Sequence, residues 1–258
     1  MAGRGLALAG LSWEASSLAE RGGEGPHRFR DRRAPRPRRQ VRRVLIVGVC
    51  ESEVKAVLCR GAGPGLPPEA RCPACGGELG RWGGYRRWVR RREEVFSLRI
   101  ARAICRSCGR THALLPSFLL ARRIDLAEAI LDALRMAGEG RGHRSIAAAA
   151  AVPEATARGW LRRARRIAAA RCAVFAALAF ELGARPGRSP PVTGSLAALC
   201  EAIGRAYRAA RERFGTAAPG SVVVFSVAVS GGLLLANTSC PFPALRSAVR
   251  VLAVSEND

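Results

Sequence analysis

Lysine is almost absent from this chain of 258 residues: Lys55 is the only one, so nearly all of the 43 basic side chains are arginine. Acidic residues are scarce too, 20 against those 43, which leaves a formal net charge of +23. GC-rich coding inflates Arg, Ala, Gly and Pro at lysine's expense and accounts for most of the arginine preference. It does not by itself remove carboxylates, and a surface this positive attracts polyanions by counterion release. An anionic membrane is the competing partner, but no apolar run is long enough to cross one. Val222 to Ala236 gives 15 residues, interrupted by Ser226, Ser230, Gly231 and Gly232, where a span needs about 20. A buried helix or strand pair is the expectation there. Leu6 to Leu11, broken by Gly10, is too short for a signal-peptide core. No membrane partner is therefore expected, and the location expected is cytoplasmic.

Catalytic signatures are missing as well. There is no G-x-x-x-x-G-K-[ST] loop, no G-x-S-x-G elbow and no H-E-x-x-H pair. Beyond Arg171 the acidic residues are only Glu181, Glu201, Glu212, Glu256 and Asp258, none an aspartate within a strand-like run, so the carboxylate triad that holds two metal ions at a phosphodiester is not expected. Tyr85 and Tyr207 are the only tyrosines, and neither lies in a recognisable recombinase site. The chain is expected to be non-enzymatic, with no small-molecule ligand.

What is present begins with nine cysteines, an odd number without an export signal, which suits a reducing compartment where thiols serve metals or cores. Four of them form two knuckles, Cys72-Pro73-Ala74-Cys75-Gly76 and Cys105-Arg106-Ser107-Cys108-Gly109, separated by 29 residues. Each C-x-x-C puts two thiolates on one tight turn, and four thiolates close the tetrahedral sphere of a zinc ion. A closed sphere leaves no place for water, so Zn2+ held by Cys72, Cys75, Cys105 and Cys108 is expected to be structural. The spacer exceeds the usual ribbon length, which an outgoing and a returning strand explain. Phe96, Leu98, Ile100, Arg102 and Ile104 alternate with Ser97, Arg99, Ala101, Ala103 and Cys105, while Arg90 to Glu94 supplies a polar tip. His112, just past the second knuckle, is expected to be a hydrogen-bonded structural histidine, with an alternate ligand role left open. Cys50, Cys59, Cys172, Cys200 and Cys240 are expected to pack in cores.

Around the knuckles the pattern gives an α+β chain. Residues 1–40 read as a disordered Arg-rich tail, with ten arginines from Arg21 to Arg43 against Glu24 and Asp31. Residues 41–118 read as a strand, a short helix and the zinc ribbon, a small β-hairpin module. Residues 119–185 read as a mainly α-helical helix-turn-helix domain, and 186–258 as a helical, apolar C-terminal region of unknown role. Asp125 is expected to cap a helix to about Ala137, and Ser195 another to about Phe214.

The stretch from Ser145 to Leu161 looks like a helix-turn-helix of the kind found in bacterial regulators and transposases. Small residues let two helices approach, Val152 fills the corner and Pro153 opens the second helix. Ala157, Trp160, Leu161, Ala164 and Ile167 share one side and are assigned to the core. Ala155, Arg158, Arg162, Arg163, Arg165 and Arg166 form the other, suited to a major groove and its phosphates. Glu154 and Arg158 are best placed for bases, and Arg162, Arg163 and Arg166 for phosphates. Ala151 stands where such turns usually have glycine.

With both motifs in view, residues 42 to about 170 resemble an uncharacterised actinobacterial family. Its marks are the zinc ribbon, the run from Arg102 through Pro116 that includes Thr111-His112-Ala113-Leu114-Leu115-Pro116, and a helix-turn-helix ending Trp-Leu-Arg-Arg. The arrangement is also similar to the N-terminal DNA-binding region of insertion-sequence transposases. The resemblance implies binding of double-stranded DNA in a mobile-element or regulatory setting, with a homodimer as one option. Two other expectations stand beside it: a truncated transposase that keeps its targeting half, and a zinc-ribbon adaptor that binds protein. The ribbon itself is expected to brace the helices or to touch DNA through Arg86, Arg87, Arg90 and Arg91.

Overall fold

Alternation along Phe96 to Cys105 puts successive side chains on opposite faces of a strand, and both faces contribute to a core, with Arg99 left exposed. The structure, a computed structural model, describes residues 43–184 and 195–236. The expected Arg-rich tail, residues 185–194 with their three prolines and two glycines, and Cys240 lie outside the described residues.

β1 (Arg43–Val47) leads through a 3-10 turn (Glu51–Glu53) into α1 (Val54–Arg60). The long hairpin is β2 (Leu79–Arg91) and β3 (Glu94–Cys105), turning at Arg92 and Glu93 with Arg92 at φ +54°. A strand that the alternation did not reveal, β4 (Thr111–Pro116), follows the second knuckle. The sheet order is β1-β4-β3-β2. β1 and β4 run parallel, from Arg43 opposite His112 to Val47 opposite Pro116, while β4 to β3 and β3 to β2 are antiparallel. On one face Leu98, Ile100 and Leu115 pack with Val57, Leu58, Val89, Phe118, Leu119 and Leu126. On the other, Ala103, Cys105 and Leu114 pack with Val47, Cys72 and Leu79. The Gly- and Pro-rich residues from Gly61 to Pro68 lie partly along the sheet, where Gly63 N donates to Arg99 O and Arg99 N to Gly61 O, both at 2.9 Å.

The helices follow: α2 (Ala127–Gly138), α3 (His143–Ala150), α4 (Glu154–Glu181), α5 (Leu196–Phe214), a 3-10 turn (Gly215–Ala217) and α6 (Val222–Val229). Their shared core draws Ile130 and Leu134 from α2, Ile146 from α3, Trp160, Leu161 and Phe175 from α4, Leu199 and Ile203 from α5, and Phe225 from α6. Ser195 caps α5 as expected, its Oγ accepting from Ala198 N at 3.1 Å. The apolar stretch near the end forms α6 and a turn, with Phe225, Val227, Val229, Leu234 and Leu235 buried. The ring centroids of Phe175 and Phe225 lie 6.3 Å apart.

Asp125 does not cap α2. Leu126 occupies the N-cap with no side-chain bond, and Asp125 Oδ1 instead accepts from Arg90 Nε at 2.7 Å and Nη2 at 2.6 Å. A capping bond contributes about 1 kcal/mol, whereas a nearly buried carboxylate needs a cation beside it. Arg90 N also donates to Ile124 O at 2.6 Å, and Arg87 Nη2 donates to the carbonyls of Leu120 (2.7 Å) and Arg123. The hairpin tip is thus tied to the segment that enters α2. Cys50 and Cys59 depart from the expected core role: both are exposed, because α1 turns Val57 and Leu58 inward and leaves Cys59 outside. Cys172 and Cys200 are partly buried against the helical core.

Candidate functional site

Both knuckles adopt the same local geometry. Gly76 N donates to Cys72 O at 2.8 Å and Gly109 N to Cys105 O at 3.0 Å, with Gly76 at φ +73° and Gly109 at φ +65°. Those angles are left-handed, which is why glycine follows each pair. The first knuckle sits between β1–α1 and β2, and the second turns the end of β3 toward β4. Arg106 N donates to Glu78 O at 3.0 Å, joining the two turns. The hairpin therefore brings together cysteine pairs with 29 residues between them.

The four Sγ atoms all lie within 4.8 Å of one another. Cys72 Sγ is 3.7 Å from Cys108 Sγ, and Cys75 Sγ is 3.5 Å from Cys105 Sγ. A tetrahedron of sulfurs about 2.3 Å from a central ion has edges of about 3.8 Å, so the quartet fits a metal ion of zinc's size and softness. All four cysteines are free thiols. Backbone amides are aimed at the sulfurs: Ala74 N lies 3.4 Å from Cys72 Sγ and Cys108 N lies 3.4 Å from Cys105 Sγ. The Cys108 amide leads in holding the Cys105 thiol down at about 6. The hydrogen bond from Gly77 pulls Cys75 down, but bonds to Cys105 and Cys108, together with desolvation, outweigh it and push Cys75 up to about 12. Four thiols this close cannot all ionise without a cation among them. Cys72 and Cys105 are buried and Cys75 and Cys108 exposed, so one side of the quartet faces solvent.

His112, on β4, stands behind the quartet. It is fully buried, with Nε2 3.4 Å from Cys72 Sγ. A ring N–H toward a thiolate orients it and moderates its charge, as outer partners of metal ligands do.

The second candidate surface lies on α3 and α4. Three residues join these helices, and Ala151 takes φ +51° with its N–H donating to Ala148 O at 3.2 Å. Val152 N closes on Ala147 O at 3.1 Å, and Pro153 occupies the N-cap of α4. Along α4, Ala157, Trp160, Leu161, Ala164 and Ala168 are buried, with Ile167 partly so. Arg158, Arg162, Arg165 and Arg166 are exposed. Arg163 is half-buried and donates to Gly159 O at 3.1 Å. The exposed Glu154 sits 3.7 Å from Arg144 Nε and 3.8 Å from His143 Nε2, linking the starts of the two helices.

Residues 72–160 match the model of a family described as a domain of unknown function (DUF6431). The chain is similar to that family over a span that begins at the first cysteine ligand candidate and ends at Trp160. It encloses the quartet, β2 to β4, α2, α3 and the first turns of α4. No curated protein and no solved structure matches the chain. No helix among the described residues is long and apolar enough to cross a membrane.

Sequence reasoning treated Arg86, Arg87, Arg90 and Arg91 as equivalent ribbon arginines. Arg87 and Arg90 are committed internally, to carbonyls and to Asp125, which leaves Arg86 and Arg91 facing solvent. It did not single out Trp82 or Trp88. Trp88 is 63 % exposed and Trp82 55 %, and the alternation of Trp88 with buried Val89 was the available signal.

Proposed function

We propose that this is a non-enzymatic, zinc-dependent protein that binds double-stranded DNA through α3 and α4 as a helix-turn-helix, in a regulatory or mobile-element setting. The observation that carries this is the division of the first half of α4. One side is buried in the shared helical core at Ala157, Trp160, Leu161 and Ala164, and the other presents Arg158, Arg162, Arg165 and Arg166 to solvent. A major groove admits a helix, arginine's fork matches guanine O6 and N7, and flanking arginines meet phosphates. Arg158, on the second turn, is assigned to a base. Arg162 and Arg166, one and two turns further on, are assigned to phosphates. Arg163 and Glu154 have intramolecular partners and would have to exchange them for DNA.

Zinc in this reading is structural. Bound by four thiolates it supplies cross-linking of the two knuckles, and the sheet so fixed holds the hairpin tip against the approach to α2 through Arg90 and Asp125. Site selection from random duplex DNA with zinc-loaded protein is the test: a recovered motif is expected, with affinity falling steeply as salt rises. Arg158→Ala is expected to cost about 1 to 3 kcal/mol and to relax one base position. An unchanged motif in that variant would remove Arg158 from base readout, and no enrichment at all would refute the duplex reading.

A further inference from the structure

β2 ends the sheet, with β3 on one side and no strand on the other. Hydrogen bonds on either side of the hairpin show which of its residues turn their backbone outward. Arg99 of β3, which the register pairs with Arg86, donates its N–H to Gly61 O and accepts from Gly63 N, both at 2.9 Å and both away from β2. Arg86 and Arg99 are therefore a non-hydrogen-bonded pair, and the N–H and C=O of Arg86 point out of the sheet. At the tip, Arg90 N donates outward to Ile124 O at 2.6 Å, which gives the same parity. Arg86, Trp88 and Arg90 all face out, and the segment at Ile124 occupies only the last of them. Among the described residues, the outward backbone groups of Arg86 and Trp88 have no hydrogen-bond partner.

The register also sorts the side chains. Arg86, Trp88, Ser97 and Arg99 share one face of the hairpin, while Tyr85, Arg87 and Val89 lie on the other with Leu98 and Ile100. On the first face Trp88 is 63 % exposed. Arg86 and Arg99 are exposed too, and among the described residues neither has an ion pair; Arg86 Nη1 donates to Ser97 Oγ at 3.2 Å. Non-hydrogen-bonded pairs bring side chains closest, and like charges opposed there repel. Arg99 leans across β2 over the bare Gly84, its Nε 3.4 Å from where a Cβ on that residue would stand. Both guanidinium groups thus lie on β2 beside its open edge.

An edge that alternates N–H with C=O is matched by another polypeptide strand. Phosphate oxygens of a nucleic acid would suit the arginines and the N–H groups but would oppose the carbonyls, since they too are acceptors. A second copy of β2 would bring its own arginines against these. Edge and charge together select an acidic strand. We infer that β2 accepts an extended acidic peptide of a partner protein as a fifth strand alongside Arg86 and Trp88. A carboxylate of that peptide meets Arg86 and Arg99, and an apolar side chain two residues away lies against Trp88, because positions i and i+2 of a strand share a face. The recognised pattern is thus acidic–x–apolar. This inference rests on the sheet alone and is independent of the duplex reading.

The test selects full-length, zinc-loaded protein against a random library of peptides about nine residues long. Enrichment of an acidic residue two positions from an apolar one is expected. The Arg86→Glu/Arg99→Glu variant is expected to lose affinity for a selected peptide on the order of tenfold or more and to select basic residues in its place. Should that variant lose zinc, Arg86→Gln/Arg99→Gln is read instead, with the acidic preference gone. Trp88→Ala is expected to weaken the selected peptide by about fivefold, with zinc content and unfolding midpoint kept. N-methylation of every second amide of that peptide is expected to abolish binding in one phase and to spare it in the other, which a strand requires and a merely charged ligand does not. No enrichment, a motif unchanged by charge reversal, or indifference to the phase of methylation would overturn the inference. So would displacement of the peptide by oligo-dT at lower concentration than by the unlabelled peptide, which would assign the face to nucleic acid. Self-association of the protein that Trp88→Ala abolishes would give the edge to a second copy, and would overturn it as well.

Discussion

Ala151 holds a left-handed backbone between α3 and α4, a conformation that costs an L-residue roughly 1 to 2 kcal/mol. Glycine would remove that strain while adding about 0.5 to 1 kcal/mol of unfolded-state entropy. Ala151→Gly is therefore expected to stabilise the protein by about 0.5 to 1 kcal/mol in denaturant melts. A destabilised variant would mean that the methyl group packs usefully. Trp160 is the other residue whose weight is individual: it is 2 % exposed and belongs to the core that α2 to α6 share. Trp160→Ala is expected to cost about 3 to 5 kcal/mol, seen as a lowered unfolding midpoint. At this scale much was legible. The buried side of α4 follows from helical spacing alone, and the glycines after each knuckle announced their own angles. Cys59 was not legible, because which side of a seven-residue helix turns inward depends on the sheet it meets.

Elements were read well where their contacts are local and poorly where they are not. The hairpin of β2 and β3 follows from alternation about a polar tip. β4 was missed because it is covered on both faces: Leu114 enters one core and Leu115 the other, so a six-residue strand shows a continuous apolar run in place of a period of two. Its parallel partner β1 lies far back in the chain. The start of α2 was misjudged for a similar reason, since the cation that claims Asp125 is 35 residues away on the hairpin. Asp125→Asn leaves Arg90 without its counter-charge. It is expected to cost about 2 to 4 kcal/mol, somewhat under the fully buried case because Arg90 keeps 17 % side-chain exposure. The loss should appear as increased hydrogen exchange both at the hairpin tip and at residues 117–125; a change confined to α2 would restore the capping role.

For the molecule as a whole, the thiol quartet belongs to a core and not to a detachable knob. Cys72 and Cys105 pack with Val47, Leu79, Ala103 and Leu114, so metal bound there would contribute to the sheet, on the order of 10 kcal/mol if it behaves like other structural zinc. Purified protein is expected to carry one zinc per chain. Acid should release it, because thiolates bind the ion and thiols do not, so occupancy falls as pH drops. The Cys72→Ser/Cys75→Ser variant is expected to contain no zinc and to lose sheet structure; stoichiometric zinc in that variant would exclude the quartet. The knuckle motif made this centre legible from sequence, whereas the role of His112 behind Cys72 needed β4 to be seen.

The parallel pairing of β1 with β4 also sets a schedule for synthesis. Residues 43–47 leave the ribosome first, yet their sheet neighbour ends at Pro116, 69 positions later. At translation speeds of about 5 to 20 residues per second this is a delay of roughly 3 to 14 s. During that wait Leu45 and Ile46 lack the strand they pair with, so β1 joins the sheet only once β4 has emerged.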